Sequence, residues 1–225
     1  MKDARLKKSS SIEIIDITNK PEYKHLLVGC IFHRKKEIQL QELINGTPER
    51  VRYLESAVPK GLHTKILFWK GDHVGMIEYG PPEAAGLPIS GENIIIMNCI
   101  WIHRKAQGQS FGKMLIDDMI KSEEQAGGFA TLALEDYWMV WIQKWMIEHL
   151  GFRSIDSIKL KHKTYKKGQC FKVHLMWQSI SDNVTPPTWN MTQLLYGINY
   201  CHHHPLYWGK YGCAKSGLTE IHEKC

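Results

Sequence analysis

Residues 93–102 read Asn-Ile-Ile-Ile-Met-Asn-Cys-Ile-Trp-Ile, apolar on both alternating faces. Such a run reads as a central strand buried in a sheet, and it constrains what the rest of the chain can build around it. Shortly after it, Gln107-Gly108-Gln109-Ser110-Phe111-Gly112-Lys113 opens an amphipathic helix. Phe111, Leu115 and Met119 recur at i+4, while Lys113, Asp117 and Lys121 mark the opposite face. Small residues at 108, 110 and 112 let a ligand come close to the backbone. The first helical turn offers N–H groups without partners at the positive end of the helix dipole, which suits an anion such as a pyrophosphate. No Gly-Lys-Ser/Thr ends the turn, and its glycine spacing is not the dinucleotide fingerprint. By itself the turn is read more simply as a tight strand–helix connection without ligand.

The flanking sequence supplies partners for that strand. A strand is expected over residues 11–18, where Ile12, Ile14 and Ile17 sit among polar residues and Asn19 and Pro21 stop the run. Residues 22–58 turn helical. Ile38, Leu40, Leu43 and Ile44 approximate one face, and Thr47-Pro48-Glu49 offers an N-cap, a first-turn proline and an acidic first turn. Residues 65–70 and 73–79 read as a β-hairpin about Gly71-Asp72. Gly127-Gly128 ends the central helix, residues 129–134 form a strand, and residues 138–150 form a helix closed by Gly151. Residues 152–160 and 170–178 pair across a basic turn. The order β-αα-β-β-β-α-β-α-β-β is that of a mixed α/β domain.

Composition bounds the alternatives. Apolar residues form 43% of the 225 and charged residues 23%, a mix that supports a real core. No run reaches the ~18 apolar residues of a membrane span. The charged start Met1-Lys2-Asp3-Ala4-Arg5 leads into no signal-peptide core, so a cytoplasmic protein without membrane contact is expected. Six scattered cysteines do not make a disulfide scaffold and are expected as reduced thiols. The net charge of +6 fits an anionic ligand without selecting one. Composition shifts after Gln178, where Pro186-Pro187 precedes a stretch dense in Gly, Tyr, Trp, His and Cys. Residues 1–178 are therefore taken as one domain and 179–225 as a C-terminal extension.

The order of elements, together with Gln107-Gly108-Gln109-Ser110-Phe111-Gly112 and a helix closing on Met146-Ile147-Glu148-His149-Leu150-Gly151-Phe152, resembles the GNAT superfamily of acyl-CoA N-acyltransferases. The segments Gly75-Met76-Ile77-Glu78-Tyr79 and Met97-Asn98-Cys99-Ile100-Trp101-Ile102 are similar to its YoaP-like prokaryotic branch. The resemblance covers residues 11–178. It implies an α/β fold with a mixed, mostly antiparallel central sheet flanked by helices. It also implies acetyl-CoA as cosubstrate and transfer of the acetyl group to an amine-bearing acceptor by direct attack. Backbone groups of Ile100, Trp101 and Ile102 are then expected to hold the pantetheine arm, and the amides of Gln107, Gly108, Gln109, Ser110, Phe111, Gly112 and Lys113 the pyrophosphate. Ser110 stands where the family usually has glycine. Ile147 stands where many members place the tyrosine that reprotonates the leaving thiolate, and an alkyl group donates no proton.

Glu78 and Glu135, near strand ends facing the central cleft, are the candidate bases, against the plainer reading of solvated strand ends. Tyr137 is the candidate replacement acid, against a surface or capping role. Cys99 is either an acyl-accepting nucleophile or a small core residue. Trp138, Trp141 and Trp145 have core spacing. The basic run from Lys159 to Lys167 is read as a solvated hairpin, and nucleic-acid binding is the rival function it would support. A second rival, supported by Ile147, is a noncatalytic acyl-CoA sensor or partner-binding module. A homodimer is compatible with either. In the extension, Cys201, His202, His203, His204, Cys213, His222 and Cys225 are ligand types zinc prefers. They lack a Cys-x-x-Cys pair, so a docked lid or brace without metal is expected.

Overall fold

Alternate side chains of the central strands enter two different cores. On β5 (Ile94–Ile102), Ile94 and Ile96 join one buried cluster, while Ile95 and Met97 join the other. On β6 (Gly128–Glu135), Leu132 and Leu134 face the first and Ala133 the second. A strand apolar on both faces is stable only when each face is covered, and each is. The computed structural model describes residues 11–29, 44, 47–139, 141–162, 169–181, 183–201, 203–208 and 218–220.

The main sheet also contains β1 (Ile12–Asp16), β2 (His63–Trp69), β3 (Asp72–Gly80), β7 (Arg153–His162), β8 (Cys170–Ser179) and β10 (Leu218–Glu220). Its order is β1-β2-β3-β5-β6-β8-β7-β10, antiparallel except for the β5–β6 pair. A short pair joins β4 (Ile89–Ser90) to β9 (Thr188–Trp189). Helices α1 (Lys24–Gly29) and α2 (Pro48–Ala57) supply Leu26, Leu27, Val28 and Leu54 to the first core. On the other face, α3 (Phe111–Ser122) and α4 (Lys144–His149) supply Phe111, Leu115, Met119 and Ile147.

Several expectations shift. The hairpin turn is Lys70-Gly71, one residue earlier than Gly71-Asp72. Both residues have positive φ, 55° and 77°, and Trp69 pairs with Asp72; this conformation matches the twist of the flanking strands. Helix α3 ends at Ser122, ahead of Gly127. Among the described residues of the expected 138–150 helix, 144–149 are helical. Asp136 and Ile142 take positive φ, and the Leu134 amide donates to the Ile142 carbonyl (2.9 Å), so this stretch pairs with β6 instead. Trp141 is consequently core, whereas Trp138 and Trp145 are exposed. Thr47 stands at the N-cap of α2 without a side-chain cap bond, with Pro48 in the first turn. Ile38, Leu40 and Leu43, and the basic run beyond His162, lie outside the described residues. Cys170 is disulfide-bonded, contrary to the expectation of reduced thiols, while Cys99 and Cys201 carry thiols, as expected.

The chain after Ser179 returns across the α1/α2 face. Helix α5 (Met191–Tyr196) places Leu194 in the first core, joined there by Ile198, Tyr200 and Leu206, and β10 extends the sheet beyond β7. Among the described residues, no group of three or more His, Cys, Asp or Glu is placed to hold a metal ion, and no helix is long and apolar enough to cross a membrane. Cys213, His222 and Cys225 lie outside the described residues.

The start of β6 is packed without slack. A Cβ on Gly128 would lie 2.2 Å from Trp177 Cη2 and 2.8 Å from the Gln178 carbonyl oxygen. Gly128→Ala is expected to lower stability by about 1–3 kcal/mol, the usual cost of overpacking, read as a lower urea midpoint.

Candidate active site

The middle of the sheet is parted. β5 and β6 pair only at Ile94↔Gly128, Ile95↔Phe129 and Ile96↔Ala130. One residue later, the Thr131 hydroxyl donates to the Met97 carbonyl (2.7 Å) where a strand partner would otherwise continue the ladder. On the opposite edge of β5, Tyr79 pairs with Met97 but Glu78 pairs with Cys99. Asn98 is therefore an extra residue, a β-bulge, and bulges re-aim side chains next to sites. Beyond the bulge, Trp101 stacks on Trp141 with ring centroids 5.0 Å apart, and the Ile102 carbonyl accepts from Gln107 Nε2 (3.3 Å).

From this end of β5 the chain enters the glycine turn. Gly108 and Ser110 both take left-handed backbone, at φ 77° and 58°. Ser110 occupies the N-cap of α3 without a side-chain bond to the helix, while Phe111 is buried edge-on against Trp69 at 5.5 Å. The turn is anchored by Phe111, and residues 107–110 and Lys113 are exposed. A Cβ on Gly108 would meet nothing within 4 Å. The turn is thus exposed at the start of a helix, the setting in which backbone amides receive an anionic phosphate group.

On the α1/α2 face, the bulge meets a buried polar cluster. Arg50 forms two hydrogen bonds with the Glu78 carboxylate, Nη1 to Oε1 at 3.1 Å and Nη2 to Oε2. Its Nε and Nη2 donate to the Leu27 carbonyl (3.3 and 3.1 Å), and Nη1 donates to the Tyr200 carbonyl (3.3 Å). Burial works against the guanidinium charge, yet the neighbouring Glu78 outweighs it and holds the Arg50 pKa above its ordinary value. Glu78 also accepts from Thr64 Oγ1 (3.2 Å) and Asn98 Nδ2 (3.1 Å). The Asn98 amide in turn donates to the Tyr53 hydroxyl (2.7 Å), and its Oδ1 accepts from the Gly86 amide (2.9 Å). Burial, then Glu78, raises the Tyr53 pKa and keeps its phenol protonated.

The sequence-derived candidates fall in different places. Glu78 is enclosed in this cluster, 1% exposed, rather than facing an open cleft. Glu135 sits at the rim of β6, clamped by Lys172 (2.6 Å), Lys144 (3.3 Å) and His174 Nε2 (3.4 Å). The Lys172 hydrogen bond leads in lowering its pKa to about 2, which makes it a weak proton acceptor. Tyr137 is buried, edge-on to Phe171 at 5.1 Å, in the first core, whereas Ile147 belongs to the second. Cys99 is buried beside the bulge and lines a cavity with Arg50, Glu78, Tyr200, Cys201 and His203. Sequence reasoning passed over Arg50, Asn98 and Tyr200. Asn98 carried a signal, as the polar residue inside the apolar strand.

No protein-family model matches the chain. It is similar to the uncharacterised N-acetyltransferase YoaP of Bacillus subtilis strain 168, at 27% identity over 111 residues, covering 48% of this chain and 43% of YoaP. The match thus spans less than half of that relative. A GNAT-family acetyltransferase structure from Desulfovibrio desulfuricans aligns over 76% of this chain and 100% of its own, with a TM-score of 0.53 and 14% identity. A GNAT-family acetyltransferase from Staphylococcus aureus Mu50 aligns over the same shares, with a TM-score of 0.48 and 15% identity. The fold is the GNAT fold, in agreement with the resemblance read from the sequence.

The Arg50–Glu78 pair makes a direct stability test. Arg50→Met leaves a buried carboxylate without its cation and is expected to cost about 3–5 kcal/mol. Replacing both partners, Arg50→Met with Glu78→Leu, is expected to recover most of that loss in the same denaturant titration.

Proposed function

We propose that the chain is an N-acetyltransferase that binds acetyl-CoA and passes its acetyl group to a primary amine by direct attack. The observation that carries this reading is the open glycine turn at the head of α3, set at the end of a strand that has parted from its neighbour within a GNAT fold. The similarity to YoaP supports it. The turn from Gln107 to Lys113 offers its amides to the pyrophosphate, and the backbone of Ile100, Trp101 and Ile102 offers hydrogen bonds to the pantetheine arm. In the transfer, the amine nitrogen bonds to the thioester carbonyl carbon and the carbon–sulfur bond breaks. The amine's proton passes to a base, and the thiolate leaves.

Glu78 is the candidate base closest to the bulge, and four hydrogen bonds from Arg50, Thr64 and Asn98 fix its carboxylate in place. Glu135 and Tyr137 are the other candidates for proton transfer. A cytoplasmic location belongs to this proposal, and the disulfide at Cys170 is the observation it has to accommodate. A second reading, a noncatalytic acyl-CoA sensor, is favoured by buried Ile147 at the usual acid position. Acetyl-CoA binding without acetylation of any amine in a broad panel would select it.

Two experiments test the main reading. A Cβ on Gly112 meets only Leu150 Cδ2, at 3.5 Å, so Gly112→Val is expected to fold. It should weaken calorimetric acetyl-CoA affinity at least about tenfold by obstructing the amides; unchanged affinity would count against the assignment. In folded Glu78→Gln, Glu135→Gln and Tyr137→Phe proteins, loss of the true proton-transfer group lowers kcat while acetyl-CoA affinity stays constant. Full turnover in all three assigns proton transfer to water or to other residues.

A further inference from the structure

On the reading just proposed, the donor lies against the α3 face of the sheet, because the open turn heads α3 and α3 packs on that face. An amine attacking the thioester carbonyl arrives from the opposite face, that of α1 and α2. There the parted strands are closed by the segment after α5. Tyr200 is 2% exposed, and its hydroxyl donates to the carbonyl oxygen of Asn98, the bulged residue, at 2.8 Å. Its ring lies 5.3 Å from that of Tyr53. The ring is also set on Gly86, where a Cβ would fall 2.0 Å from Tyr200 Cδ1. Cys201 and His203 follow it into the wall of the cavity that Cys99 and Glu78 line, whose volume is about 10 Å³. That is room for a single water at most, and no amine acceptor fits.

We propose that Tyr200 is the acceptor gate: it fills the place of the acceptor amine, which enters only when the segment swings aside. The slot it vacates defines the acceptor class. The slot has the size of one aromatic ring, is bounded by the Tyr53 ring and by bare backbone at Gly86, and ends at a backbone carbonyl that requires a donor. A primary amine on a ring-bearing body meets both demands, its N–H taking over the hydrogen bond to Asn98. Gly86 is the feature that admits the ring, since any side chain there would evict it.

Gly86→Ala evicts the ring while keeping the Gly86 amide that donates to Asn98, and it leaves the glycine turn untouched. Tyr200→Phe removes only the hydroxyl. Each full-length variant is compared with the wild type in three measurements: iodoacetamide labelling of Cys99 read by peptide mass spectrometry, calorimetric acetyl-CoA affinity, and acetylation of phenethylamine against n-butylamine. Tyr200→Phe is expected to label Cys99 roughly fivefold faster, the equivalent of one buried hydrogen bond, and Gly86→Ala faster still. Acetyl-CoA affinity should stay constant in both. In Tyr200→Phe acetylation should rise, more for phenethylamine, whereas in Gly86→Ala the new Cβ stands where an acceptor ring would lie, so only n-butylamine should gain. Unchanged Cys99 labelling in both variants would make Tyr200 a permanent core residue and overturn the gate, as would faster labelling with no gain in acetylation. Equal gains for the two amines in Tyr200→Phe would overturn the ring-bearing class. If Gly86→Ala does not fold, Tyr200→Phe decides. A wild-type chain that binds no acetyl-CoA overturns the acetyltransferase reading itself, whereas intact binding with protected Cys99 overturns the gate alone.

Discussion

The guanidinium of Arg50 meets the carboxylate of Glu78 out of reach of water, and the α1/α2 side of the molecule is organised around that meeting. Burying either charge by itself would be severely unfavourable, so each must find a full set of partners. Arg50 takes them from α1, β3 and the segment after α5, and Glu78 from β2 and β5. The pair therefore acts as a positional constraint more than as a source of net stability. A hydrophobic pair of similar volume would fill the space without specifying where five separate pieces of chain sit.

The Asn98 bulge carries that constraint to the centre of the sheet. Its side chain completes the shell of Glu78, and its main chain lies just past the last β5–β6 pair. The inserted residue lies just past the point where β5 has left β6, and it turns two successive side chains, Asn98 and Cys99, toward the same buried cluster. The parting of the strands and the polar cluster thus meet at one place in the sheet.

Much of the architecture was legible in the sequence because it rests on local patterns. The apolar run of β5, the glycine turn and the i+4 face of α3 are each contained in a dozen residues or fewer, and the expected positions are close to those observed. Failures came where a local pattern had a competitor. The Trp138, Trp141 and Trp145 spacing reads as one helical face, but the Leu134 amide takes the Ile142 carbonyl and the helix starts only at Lys144. The hairpin was displaced by one residue because Lys70, not only a glycine, adopts positive φ. The polar cluster was largely hidden because no periodicity links its members. Glu78 stood out as an acid near a strand end, but Arg50 looked like any charged residue of an exposed helix.

Tyr200 also fixes when the molecule can become dry. Its hydrogen bonds reach back 102 residues to Asn98 and 150 to Arg50. Contacts of such separation are slow to form, since a long loop must close before they reward the chain. The hairpin β2–β3 and the β5–α3–β6 unit involve far shorter separations. Before the last of these contacts closes, the Asn98 carbonyl has no Tyr200 hydroxyl and Arg50 one acceptor fewer, so water occupies their place. Exclusion of water from the centre of this protein therefore depends on the docking of its C-terminal segment.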